Sequence, residues 1–99
     1  MIEQPIPDEY NFDAFSQLTV HHQTILLTLN VFPRGIGIDN FIIKMLENDP
    51  KIREHLEYLY KTGWIVFDED SKRIMINNPQ IRETLQEVAQ ILSKNQNEE

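Results

Sequence analysis

The chain has no cysteine among its 99 residues. That excludes disulfides and thiolate metal centres built from its own side chains. Glycine is scarce too, with three in all. Gly35 and Gly37 are too few for a phosphate cradle, and no Gly-x-x-x-x-Gly-Lys-Ser/Thr phrase occurs, so a P-loop nucleotide site is excluded. Long apolar runs are missing. Stretches such as Ile25 to Leu27 fall far short of the roughly 20 residues a membrane-spanning helix needs. The opening MIEQPIPDEY is acidic and broken by Pro5 and Pro7, so it does not read as a signal peptide. These absences lead to a cytoplasmic location and no membrane partner as the expectation.

Positive charge is the last shortage. Nine Lys and Arg stand against 16 Asp and Glu, a net charge of −7. Non-specific DNA binding is mostly phosphate neutralisation by Lys and Arg. An acidic domain needs a concentrated basic patch to overcome that repulsion.

What is present is a single-domain length with 40% hydrophobic residues, enough for one modest core. Residues 1–18 read as a partly ordered arm. Its prolines prevent a regular helix, while Tyr10, Phe12 and Phe15 are apolar enough to pack back, and Phe12 to Leu18 suits a short helical turn. The domain proper spans 19–93. Thr19 is the expected N-cap of a helix from Val20 to Asn30, with Ile25, Leu26, Leu29 and Phe32 on one face. Pro33 and Gly35 end it, and a brief extended segment follows around Ile36 and Ile38. Asp39 is the expected cap of a second helix, Asn40 to Asn48, whose buried stripe is Phe41, Ile42, Met45 and Leu46. Asp49-Pro50 marks the next turn, with Pro50 in the first position of the third helix. That helix, 51–62, buries Ile52, Leu56, Leu59 and Tyr60 and ends at a left-handed Gly63. Trp64 to Phe67 and Arg73 to Ile76 alternate as two strands, joined by the polar turn at 68–72. Asn78 and Pro79 open a last helix with Ile81, Leu85, Val88 and Leu92 inward. Residues 94–99 have nothing to bury and are expected to be a disordered tail.

The result is a mainly α fold with a small β-hairpin, in the order α-α-α-β-β-α. A helix that runs directly into a hairpin is the centre of a winged helix-turn-helix.

No catalytic constellation emerges. His21 and His22 are neighbours on a helix and point about 100° apart, and His55 has no partner at a zinc-binding spacing. All three read as surface histidines on helix flanks. Asp68-Glu69-Asp70 starts like a calcium loop, but Arg73 stands where the sharp-turn glycine belongs and Pro79 where the last glutamate does. It reads as a solvated hairpin turn that discourages edge pairing. No Ser lies in a Gly-x-Ser-x-Gly turn. The expectation is a non-enzyme with no cofactor and no metal site.

For DNA, the recognition helix would be the third. Its outer face offers Lys51, Arg53, His55, Tyr58 and Lys61, and the wing at 68–73 adds Lys72 and Arg73. Five basic residues there are matched by Glu54, Glu57, Asp68, Glu69 and Asp70, so the stretch is neutral.

One segment carries a family resemblance. LNVFPRGIGIDNFIIKML, Leu29 to Leu46, resembles the winged-helix domain of STAND-type ATPases, the class that includes NB-ARC proteins. The helix-ending phrase is Leu29, Val31, Phe32, Pro33 and Gly35. LEYLYKTGWIVF and IMINNPQIRETL, with Arg82-Glu83, resemble the family's next strand and its strand-to-helix motif. The likeness spans about Leu18 to Val88. Asn78 stands at the family's nucleotide-sensing histidine and Pro79 at its aspartate, and the ATPase core is absent from this chain. The resemblance implies a winged helix that packs against other domains or partners.

The leading expectation is therefore a non-catalytic interaction module, a regulatory or docking domain of a STAND-like protein. Its partner would be protein, either other domains of the same polypeptide or a separate chain. Tyr58, Tyr60, Trp64 and Ile91 are the candidate contacts, since aromatics favour interface cores. The alternative is a dimeric transcription regulator that reads DNA with helix 51–62 and wing 68–73 and pairs through its terminal helices, Ile91 included.

Overall fold

The computed structural model describes residues 9–97, with side chains described as far as Lys94. Residues 1–8 of the expected arm and 98–99 of the expected tail lie outside the described residues. In chain order the elements are α1 (Phe12–Ser16), α2 (Val20–Asn30), β1 (Ile36–Gly37), α3 (Ile38–Leu46), α4 (Ile52–Lys61), β2 (Ile65–Asp68), β3 (Arg73–Ile76) and α5 (Pro79–Asn97). The molecule is mainly helical with a three-stranded antiparallel sheet in the order β1-β3-β2. β3 is central because the short extended segment at Ile36 pairs with Ile74, adding a third strand to the expected two.

Capping explains most boundaries. Thr19 accepts the His22 N–H at 3.2 Å and starts α2. Asn78 accepts the Ile81 N–H at 3.0 Å and starts α5. α4 ends as Gly63 enters the left-handed region at φ 87°, which lets the Trp64 N–H reach the Leu59 carbonyl at 2.9 Å. That bond satisfies an otherwise orphan carbonyl and turns the chain into β2.

Two cap expectations need correction. α3 begins at Ile38 with Gly37 as its uncapped N-cap. The Ile38 N–H is instead held by the Lys72 carbonyl at 2.9 Å, so sheet pairing, not Asp39, sets the start. Asp39 sits in the first turn, where its charge still suits the helix dipole. α4 begins at Ile52, two residues past Pro50. Lys51 is its N-cap and has no side-chain capping bond; Asp49 shapes the turn before it, its side chain accepting the Lys51 N–H at 3.2 Å and its carbonyl the Ile52 N–H at 3.0 Å.

The core gathers Ile25, Leu26 and Leu29 of α2 with Phe41, Ile52, Leu59, Trp64, Ile74, Ile81 and Leu85, all at most 2% exposed. Three stripe residues sit differently from the helical pattern. Leu46, Tyr60 and Leu92 are exposed at 47%, 57% and 47%, because each lies at the edge of its helix's apolar arc, beyond the reach of the next element. The arm packs through Tyr10 and Phe15 but not Phe12, which is 51% exposed. Tyr10 meets Trp64 edge-on at 4.7 Å and donates its hydroxyl to the Thr62 carbonyl at 2.8 Å. Past residue 93 the backbone stays helical to Asn97, since extending a nucleated helix adds one hydrogen bond per residue fixed.

Candidate functional site

The outer side of α4 and the hairpin beside it hold the residues that the sequence nominates. The structure divides them. Lys51, Arg53, Lys61, Lys72 and Arg73 are exposed. Lys61 is engaged by Glu57 at 3.2 Å, one turn away on the same helix. His55 and Tyr58 are half-buried and face α2 rather than solvent. The hairpin turn is acidic and closed on itself: Asp68 accepts the Asp70 N–H at 3.0 Å and the Ser71 hydroxyl at 2.9 Å. The basic residues are thus spread along a helix and a strand, with carboxylates between them.

Between α3, α4 and the sheet lies a groove of about 370 Å³. Ile38 and Ile42 form one wall, Leu56 and Tyr60 another, and Ile65, Phe67 and Ile74 the floor. Arg53 and Glu57 stand at its polar edge. The helical repeat produces this lining directly. Arg53, Leu56, Glu57 and Tyr60 are three or four residues apart and share a face of α4. Of the candidate protein contacts, Tyr60 belongs to this groove. Trp64 does not contribute, because it is 1% exposed and wedged against Tyr10. Tyr58 is stacked on His22, with ring centroids 4.4 Å apart. Ile91 lies elsewhere, with Phe12, Leu27, Val88 and Leu92 along α5. The structure does not join Ile91 to the aromatic candidates.

The histidines are the largest departure from expectation. Only His21 remains on the surface. His22 is 8% exposed, and His55 is half-buried. The three come together around Asp49, which is 5% exposed. His55 Nδ1 lies 2.7 Å from Asp49 Oδ2, and His21 Nδ1 lies 3.7 Å from the same oxygen. The His21 and His55 rings stack at 5.1 Å, and His22 meets His55 edge-on at 4.9 Å. Neither ring nitrogen of His22 has a hydrogen-bond partner.

Electrostatics follow from this packing. Burial pushes the His22 imidazole down to about 4, and the neighbouring imidazoles His55 and His21 add to it against a smaller opposing pull from Asp49. Burial alone would raise the Asp49 carboxyl. The hydrogen bond and charge of His55, the Lys51 N–H and the charge of His21 outweigh that and hold it below its ordinary value. His21, Asp49 and His55 each offer one ligand atom, all within 4.8 Å of one another, so these are the described residues that could hold a metal ion. Sequence reasoning missed the cluster because its members come from three places: the start of α2, the turn before α4, and α4 itself.

No protein-family model matches the chain, and neither a curated protein nor a solved structure matches it.

Proposed function

We propose that the chain is a winged helix-turn-helix used as a protein-docking module, of the kind its resemblance to STAND-type ATPases implies. The element order supports the fold reading: α3 and α4 form the helix-turn-helix, β2 and β3 the wing, and β1 closes the sheet. A contact within the resembling stretch supports it as well. Arg82 of the Arg-Glu pair donates to the Pro33 carbonyl of the Val-Phe-Pro-x-Gly phrase at 2.8 Å.

One observation carries the docking function, the apolar groove along α4. A DNA-reading helix presents polar side chains to base edges and phosphates. Here the groove exposes Tyr60 between Arg53 and Glu57 and half-exposes Phe67, over a base of buried Leu56 and Ile42. An interface core with an aromatic anchor and a charged rim has this composition. The partner this chemistry recognises is an apolar segment, such as one face of an amphipathic helix.

A photo-crosslinking residue placed at Tyr60 tests the proposal in cells that produce the protein. Discrete protein adducts are expected from Tyr60 and not from the same residue placed at Lys94. Equal labelling from both positions would refute a specific site on α4.

A further inference from the structure

We infer that His21, Asp49 and His55 form a binding site for a zinc-class divalent ion that pins the start of α2 to the start of α4. The donor set is two imidazole nitrogens and one carboxylate oxygen. Zinc takes such mixed sets and needs only three protein ligands when the fourth position is open. Magnesium and calcium are disfavoured, because they require mostly oxygen donors.

The spacing suits the ion. A tetrahedral site with bonds of about 2.0–2.1 Å sets its donors roughly 3.3 Å apart. The present separations from Asp49 Oδ2 bracket that value, at 2.7 Å to His55 and 3.7 Å to His21. All three donor atoms lie within 4.8 Å of one another, so closing the site requires His21 to move toward the other two. The His21 side chain is 57% exposed, whereas those of His55 and Asp49 are only 19% and 7% exposed. Two donors are therefore fixed by packing, and the third closes over the ion from the solvent side.

A second, independent observation points to a cation. The Asp49 carboxylate is nearly buried, and its ion-pair partners among the described residues are imidazoles only, the Lys51 backbone N–H being its other hydrogen-bond donor. A buried carboxylate is retained at a cost that positive charge beside it offsets, and imidazoles supply a full charge only when protonated. A divalent ion between the three donors supplies that charge. Behind them, His22 is buried against His55 with both ring nitrogens unpartnered. A hydrophobic side chain would fill that place at lower cost, so the cluster is not accounted for by core packing alone.

Zinc titrated into the metal-free protein tests the site, read by the ring ¹⁵N signals of the histidines and by calorimetry. One equivalent is expected to shift His21 and His55, with a stoichiometry of one. His21→Ala, which removes a side chain that is 57% exposed, is expected to weaken binding at least tenfold while leaving the circular dichroism spectrum unchanged. Asp49→Asn, which keeps an oxygen but loses the charge, is expected to weaken it further if it folds. Cobalt should give a visible d–d band that His21→Ala abolishes. Absence of ring shifts at ten equivalents of zinc would overturn the inference, as would equal binding by the wild type and His21→Ala.

Discussion

Gly63 shows how much can rest on one residue. Its φ of 87° is a conformation that costs L-residues about 1–2 kcal/mol. A Cβ there would also collide with the Tyr10 hydroxyl. Gly63→Ala is expected to destabilise by about 2–4 kcal/mol in chemical denaturation. Tyr10→Phe alone should cost about 1 kcal/mol through its lost bond to Thr62. Because the two changes share one contact, the double variant should be milder than the sum. Strict additivity would show that Tyr10 is not seated on the glycine. His22 gives a second residue-level prediction, for the metal-free protein with chelator present. Its pKa is about 4 in the fold against 6.5 when free, so the unfolded chain binds more protons between those values. Stability contributed by neutral His22 is present above pH 6.5 and falls as pH drops toward 4. The loss is on the order of 2 kcal/mol, allowing for screening at the open rim of the cluster. Asp49, held below its ordinary value, gives way in the same direction at lower pH. His22→Phe should flatten the pH 4–6.5 part of the profile, and an unchanged slope would remove His22 as the cause.

At the scale of elements, the caps and stripes were legible from local rules. Thr19, Gly63 and Asn78 stand where their side chains or torsions require, and the fully buried members of each helix recur at its expected period. What was not legible depends on neighbours. Tyr60 and Leu46 continue an apolar period but meet no covering element. Asp49 is the turn residue it looks like, and it is also the centre of a histidine cluster. Adjacent His21 and His22 do diverge, as helix geometry requires; the fold places His55 between them. No spacing rule reports that, because the partners lie on different helices. The start of α5 offers a test of what Asn78 does. Asn78→Ala should lower stability by about 1 kcal/mol, whereas Asn78→Asp should keep it, since aspartate caps as well and favours the helix dipole. A calorimetric scan with and without ATP completes the check. A cap is indifferent to nucleotide, so an ATP-dependent shift lost in Asn78→Asp would restore the sensing role that the family resemblance implies.

At the scale of the whole molecule, the deciding quantity is the field. The net charge is −7, and the two places that a winged helix would bring to DNA do not reverse it locally. Along α4, Lys61 is shared with Glu57 and Arg53 stands beside an apolar groove. At the wing, Lys72 and Arg73 follow three carboxylates, of which Asp68 is tied into the turn by Ser71. Counterion release scales with the phosphates a protein neutralises, and here few can be. A 20-base-pair duplex at 50 mM salt is therefore expected to leave the amide spectrum unchanged at about 100 μM protein. The wing-tip pair Glu69→Lys and Asp70→Lys is the informative contrast. Both positions are exposed, and neither side chain makes a hydrogen bond in the turn, so the fold should persist. Each substitution adds two units, taking the chain from −7 to −3. The basic tip formed with Lys72 and Arg73 should then bind DNA weakly, with affinity falling steeply as salt rises. If shape alone directed this domain to DNA, the wild type and the variant would bind alike. If the field decides, only the variant responds.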